Sequence, residues 1–170
     1  MTAAELRRRL RRIRAFALDV DGVLTDGGMY YGPGGEGFRR FHVRDGMGLR
    51  LVREAGVVLA LISGERTDII LRRAEKLGIE HVYLGVEDKA EALQGFLRKI
   101  GVSPGETAYM GDDVNDVAPM KASALAFTVP GAPPTVRKAA HRVTRLRGGE
   151  GAVREICDLL LEARKVGSGS

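Results

Sequence analysis

Short runs of apolar residues alternate with longer stretches of helical period along nearly the whole chain. Residues 15–18, 57–62, 82–84, 107–110 and 125–129 are mainly apolar without strict polar alternation, the pattern of strands covered on both faces. Between and after them, residues 47–55, 67–77, 89–100, 114–122 and 152–163 space their apolar positions three and four apart, which predicts helices. Gly56, Gly78 and Gly101 each follow a predicted helix, the place of a left-handed residue that ends it. Strand and helix in alternation predict an α/β fold with a parallel sheet covered on both faces.

The rhythm breaks once. Residues 26–43 carry two short aromatic or β-branched runs around Gly32-Pro33-Gly34-Gly35, the signature of a β-hairpin. Its exposed edges and aromatic residues predict a contact with another subunit. Residues 1–166 read as a single domain, and the Gly-Ser stretch at 167–170 as a flexible tail. Composition adds limits rather than an activity. A chain of 170 residues with one cysteine, Cys157, needs no disulfide framework. With no long apolar run, neither a signal peptide nor a membrane contact is expected, and the cytoplasm is the expected location. The net charge of +5 favours anionic partners. Much of it lies in Arg7, Arg8, Arg9, Arg11, Arg12 and Arg14, with no aromatic residue interleaved to stack on bases. A solvated face of a leading helix is expected there, and no nucleic-acid partner.

Ligands of open parallel sheets bind at the carboxyl ends of the strands. The first predicted strand ends in Asp19-Val20-Asp21-Gly22-Val23-Leu24-Thr25, the second in Ser63-Gly64, and the fourth in Gly111-Asp112-Asp113-Val114-Asn115-Asp116. Lys89 opens the helix after the third. Carboxylates gathered this closely repel unless a cation sits among them, and an oxygen-rich site without clustered His or Cys suits Mg²⁺. Strand alternation turns Asp19 and Asp21 to one side and Val20 to the core. One carboxylate can attack phosphorus while the other handles the leaving oxygen's proton. Ser63 and nearby amides can hold phosphoryl oxygens, and Lys89 can neutralise growing charge. Taken singly, each group has a structural reading: Asp-x-Asp as a turn, Asp112-Asp113 as a helix cap, Lys89 as a solvated lysine.

Asp19 to Gly27, Ser63-Gly64, Lys89 and Gly111-Asp112-Asp113 resemble the four motifs of the haloacid dehalogenase superfamily. The resemblance implies a Rossmann-like three-layer sandwich, with Asp19 as nucleophile and Asp21 as general acid/base. It implies Mg²⁺ held by Asp19, the Asp21 carbonyl and Asp112, with Asp113 supporting its waters and Thr25 steadying the loop. The spacing leaves no room for a cap domain, which resembles the capless subgroup and implies a homotetramer built on the hairpin.

Phe41 to Gly48 and Gly148 to Glu155 resemble the 3-deoxy-D-manno-octulosonate (KDO) 8-phosphate phosphatases within that subgroup. The substrate is then a phosphorylated keto-deoxy sugar acid, bound around His42, Val43, Arg44, Asp45 and Gly46, with Gly64 beside the phosphate. Glu65 departs from the Arg usual there. With Arg73 and Lys76 it resembles the phosphatases of nine-carbon sugar acids (2-keto-3-deoxy-nonulosonate 9-phosphate), so Glu65 is expected to orient Arg73, from the same or a neighbouring subunit, or Lys76 toward the substrate carboxylate. A broad-range sugar phosphatase, a non-catalytic oligomerisation module of a sugar-nucleotide synthetase, and a receiver domain are the other readings. The intact acidic set argues against the module, and the Asp-x-Asp position on the first strand argues against the receiver.

Overall fold

The computed structural model describes residues 1–165; the Gly-Ser stretch expected to be a flexible tail lies outside them. At the centre is β1 (Ala15–Leu18), every residue of it buried. It pairs in parallel with β4 (Val58–Ile62) on one side and β6 (Thr107–Met110) on the other, so that Ala17 meets Ala60 and Tyr109. With β5 (His81–Tyr83), β7 (Leu125–Thr128) and β8 (Arg142–Val143) the sheet runs β5-β4-β1-β6-β7-β8, parallel throughout. The chain builds outward from β1 to β5, then returns to place β6 on the other side of β1. That reversal opens a crevice at the carboxyl ends of β1 and β6, the location at which α/β sheets bind ligands.

Right-handed crossovers then put helices on both faces. Neighbouring helices α1 (Ala3–Arg12), α7 (Ala152–Lys165), α2 (Val43–Glu54) and α3 (Asp68–Leu77) form one group, and α4 (Lys89–Ile100), α5 (Val117–Ala122) and α6 (Pro134–Ala139) the other. Tyr109, Phe16, Phe96 and Phe127 are the largest side chains fully buried between the layers. Close contact of α2 with α7 requires Gly48: a Cβ there would lie 2.9 Å from Arg154 Cδ and 3.0 Å from Cys157 Cβ. Cys157, wholly buried, belongs to this packing.

The predicted strands and the parallel order are present, and Gly56, Gly78 and Gly101 all have positive φ. The leading arginine-rich segment is α1, with Leu10 its buried residue. Three details differ from the sequence pattern. The predicted helix at 47–55 begins four residues earlier, at Val43, which carries Arg44, Asp45 and Gly46 into its first turn. The predicted helix at 114–122 is a 3₁₀ turn (Val114–Asp116) followed by α5. The pair α6 and β8 has no sequence signature, being too short for a period: α6 buries only Val136. His141 directly precedes β8, and its Nδ1 accepts the Ala126 amide at 3.0 Å. Within 26–43 lies the expected hairpin, β2 (Tyr30–Gly32) with β3 (Gly35–Phe38), paired with each other alone.

Candidate active site

Asp19 follows β1 directly and its amide donates to the Met110 carbonyl at 2.9 Å, so the sheet itself fixes its backbone. Its carboxylate meets Lys89, the first residue of α4. Asp88 sets that start by accepting the amides of Ala90 and Glu91 at 2.9 and 3.0 Å. Lys89 Nζ lies 3.0 Å from Asp19 Oδ1 and 2.9 Å from Asp116 Oδ1, with lysine and both acids nearly removed from solvent. Burial alone would lower the lysine's pKa, but the two adjoining charges outweigh it and hold the ammonium above its ordinary value. The cation at the centre of the site is therefore permanent at neutral pH.

Asp116 was not singled out by the sequence motifs, although it closes the pattern Asp112-Asp113-Val114-Asn115-Asp116. Its Oδ1 accepts from Lys89 and from the Tyr109 hydroxyl at 2.8 Å, and its Oδ2 accepts the amides of Asp112 and Asp113 at 3.1 and 3.2 Å. Gly111 makes room for it, since a Cβ there would lie 2.3 Å from Asp116 Cβ. The signal was an acid three residues after Asp113, the spacing of a capping box.

Asp112 lies against the loop after β1: a Cβ on Gly22 would come 1.9 Å from its Oδ2. Burial first, then the charge of Asp116, raises its pKa to about 6, while a hydrogen bond with Asp19 pulls it down. Burial and Asp116 also push Asp19 well above the usual carboxylate range, against Lys89. Oxygens of Asp19, Asp112 and Asp116 lie within 4.8 Å of one another. Because both Asp116 oxygens are already taken, Asp19 and Asp112 are the pair with capacity for a cation. Two crowded carboxylates short of positive charge, all donors being oxygen, fit Mg²⁺.

Asp21 stands on the same side, and Thr25 ties the loop together. The Thr25 Oγ1 accepts the amides of Gly22 and Gly27 at 3.3 and 3.2 Å and lies 3.5 Å from Asp21 Oδ1. Ser63, also buried, accepts the Glu65 amide at 3.1 Å. Asp19, Asp21, Gly22, Gly27, Met29, Ser63, Gly64, Glu65, Lys89, Asp112, Asp113 and Asn115 line one cleft of about 310 Å³. Asp113 is exposed at its edge and caps the 3₁₀ turn through the Val114 amide.

A second residue missed by sequence reasoning is Arg39. It leaves β3 and folds back over the cleft with its side chain fully buried. Its Nη1 lies 2.7 and 2.6 Å from the two Asp21 oxygens, its Nε donates to Glu36 at 2.5 Å, and its Nη2 is 3.8 Å from Glu65 Oε2. Burial raises the Asp21 pKa and Arg39 opposes that rise. No spacing rule connects residues 21 and 39; only the hairpin's return does.

The expected sugar-acid residues are not brought to this cleft. Arg44 is exposed and lines a separate cavity of about 470 Å³ with Arg142, Arg145 and Arg154. Val43 is 82% exposed, while Asp45 is buried against the start of α7 and Gly46 against Arg73 and Leu77 of α3. His42 caps α2, and Arg73 donates to its carbonyl at 3.3 Å and covers the Phe41 ring at 5.2 Å. Lys76 is solvent-exposed on α3. Within the chain the cation beside Glu65 is Arg39, and Arg73 or Lys76 would have to reach it from a neighbouring subunit. The early start of α2 turns Asp45 and Gly46 inward and leaves Val43 and Arg44 facing solvent.

A model of haloacid dehalogenase-like hydrolases matches residues 79–156. The chain is 41% identical over 162 residues to the Escherichia coli 3-deoxy-D-manno-octulosonate 8-phosphate phosphatase KdsC, covering 95% of this chain and 86% of that protein. Among solved structures it is similar to the corresponding Moraxella catarrhalis phosphatase in complex with magnesium, phosphate and KDO. The TM-score is 0.94 at 36% identity, covering 96% of this chain and 94% of that one. The cobalt-bound Haemophilus influenzae enzyme superposes with a TM-score of 0.90 at 39% identity, covering 92% of each chain. The four motifs, the sheet order and these likenesses over nearly the full length agree: the chain belongs to the haloacid dehalogenase-like hydrolases, in the family of the KdsC phosphatases.

Proposed function

We propose that this protein is an Mg²⁺-dependent phosphatase that removes the terminal phosphate of KDO 8-phosphate through an aspartyl-phosphate on Asp19. The observation that carries the reading is the buried Lys89 between Asp19 and Asp116 at the mouth of the sheet. Lys89 opposes the rise in the Asp19 pKa and holds its carboxyl group in place, so that, once ionised, one oxygen can attack phosphorus while the sugar alkoxide leaves. Asp21, two residues on, protonates that leaving oxygen and then takes a proton from the water that hydrolyses the acyl phosphate. Ser63 and the amides around Gly64 bind the phosphoryl oxygens. Asp19, Asp112 and the Asp21 carbonyl would hold Mg²⁺, which would supply positive charge against the phosphoryl oxygens. Asp116 acts behind them: it fixes Lys89 and, through two amides, the chain direction at Asp112. Arg39 positions Asp21 and screens it from Glu65.

The hairpin is the proposed contact of a homotetramer. Its Tyr30, Tyr31 and Phe38 are 54%, 69% and 74% exposed, beside the cleft that Asp19 and Asp21 line. No helix among those residues is long and apolar enough to cross a membrane. The one cysteine, buried and free, is in keeping with a cytoplasmic location.

Phosphate release from KDO 8-phosphate and from nine-carbon 2-keto-3-deoxy-nonulosonate 9-phosphate, with and without Mg²⁺, tests the reading. Glu65 in the lining of the cleft is what favours the nine-carbon sugar as the second reading. Preference for the eight-carbon substrate supports the proposal, equal or reversed preference favours the second, and release of phosphate from neither overturns both.

A further inference from the structure

Behind the cleft, backbone meets backbone where the turn at 148–151 touches the loop after β1. The Gly149 amide donates to the Val23 carbonyl at 3.2 Å. A Cβ on Gly148 would lie 1.8 Å from the Gly22 carbonyl oxygen, and one on Gly149 would lie 2.4 Å from the Asp26 amide. Gly22 in turn lines the cleft between Asp21 and the Asp112 carboxylate. With so little slack, the height of this turn sets the height of the loop that carries Asp19 and Asp21.

The turn opens α7, whose first amides need acceptors from outside the helix. One comes from a different helix. Asp45, in the first turn of α2 and wholly buried, accepts the Arg154 amide on Oδ1 at 2.8 Å, and the Gly151 amide also acts on its carboxylate. Glu155 braces the approach to the turn by accepting the Arg145 amide at 2.9 Å. Asp45 is an expensive choice for a cap. Its Oδ2 has no hydrogen-bond partner, as is true of His42 Nδ1 and Arg73 Nε beside it, and an under-bonded buried carboxylate opposes stability. A buried carboxylate placed there despite its cost to stability points to what it positions.

We infer that Asp45 is a positioning residue for catalysis, holding the Asp19 loop in register across the N-terminus of α7 and the glycine turn. The inference rests on the phosphatase reading and adds to it a residue that contacts neither phosphate nor the candidate metal ligands. It also gives Asp45 a role other than contacting the sugar acid.

The test compares Asp45→Ala with Asp45→Asn in Mg²⁺-dependent phosphate release from KDO 8-phosphate. Displacements well under an ångström at a reacting group are costly, so Asp45→Ala should lower kcat by about 10- to 100-fold while KM moves by less than about 3-fold. Asp45→Asn should restore most of the rate, because its amide oxygen can accept the same backbone amides. Val102→Ala, a core truncation remote from both loops, should lower Tm and leave kcat per folded molecule intact. A second measurement needs only the wild-type chain: orthovanadate with Mg²⁺ should slow amide hydrogen exchange at Gly149, Gly151 and Arg154. Wild-type kcat in Asp45→Ala, an equal loss in Val102→Ala, or unchanged exchange at those amides each overturns the inference. A wild-type protein that releases no phosphate overturns the phosphatase reading and the inference together, whereas an active wild type with fully active Asp45→Ala overturns the inference alone.

Discussion

Between Asp19 and Phe41 the chain builds two neighbouring surfaces of opposite kind. At the first, charge is buried and matched: Lys89 contacts Asp19 and Asp116, Arg39 contacts Asp21 and Glu36, and both Asp116 oxygens are occupied. At the second, Tyr30, Tyr31 and Phe38 stand out into solvent on a hairpin that pairs with no strand of the main sheet. Buried ion pairs are poor stabilisers compared with apolar packing, and removing one partner is costly. Exposed aromatic residues on a short hairpin contribute little to a fold on their own. The first surface is organised for chemistry within the chain, and the second is the one proposed for contact with a partner. Arg39 joins the two, because it departs from the hairpin and ends on Asp21.

The largest expected effect removes the attacking group and nothing else. Asp19→Asn keeps the volume of the side chain, so the fold should persist while kcat falls by roughly 10⁴-fold or more, as for loss of a catalytic member of a covalent mechanism. Circular dichroism beside steady-state kinetics checks it, and near-normal turnover would break the account of the first surface.

Lys89→Ala comes next. Loss of one preorganised charge should cost about 2 to 4 kcal/mol in kcat/KM. Leaving Asp19 and Asp116 buried without their cation should also destabilise the fold by about 3 to 5 kcal/mol. Urea denaturation separates the two losses; a variant changed in neither would show that the buried cluster is incidental.

Arg39→Met tests the residue shared by the two surfaces. It keeps the apolar stem and leaves Asp21 unpaired, and a loss of about 1 to 3 kcal/mol in kcat/KM is expected. Trimming residues 31–37 instead removes the second surface. Sedimentation should then show species smaller than the parent, with activity reduced about 10-fold by exposure of the cleft. Full activity in a trimmed monomer would sever the proposed link between hairpin and site.

How far the sequence reached follows the same division. Asp19, Asp21, Ser63, Lys89 and Asp112 converge because each sits at a strand's carboxyl end or a helix start, positions that period and capping disclose. The strands were legible for a similar reason: β1, β6 and β7 are buried at every position and therefore nearly free of polar interruption. Arg39 and the capping of α7 by Asp45 depend on chain reversals of a hairpin and a glycine turn, which leave no spacing in the sequence. The direction in which the segment around Arg44 faces was not legible because helix α2 starts at Val43 without a side-chain cap to announce it. Its resemblance to a sugar-binding motif said nothing of which way it faced.

The smallest expected effect is at Glu65, now paired with Arg39 rather than with Arg73. Glu65→Arg would place two cations together at the cleft and remove a carboxylate from its lining. A shift in relative kcat/KM toward the eight-carbon substrate of about 10-fold, or about 1.4 kcal/mol, is expected. An unchanged ratio would mean that Glu65 serves only its contact with Arg39.

The central claim is that Asp19 itself takes the phosphoryl group. Rapid mixing with KDO 8-phosphate labelled in its phosphate, in the presence of Mg²⁺ and quenched in acid, reads this directly. The account predicts label bound covalently to the protein, released by hydroxylamine, mapped to the peptide containing Asp19 and absent from Asp19→Asn. Rapid phosphate release with no protein-bound label at any quench time, or with label mapped to another residue, would contradict it.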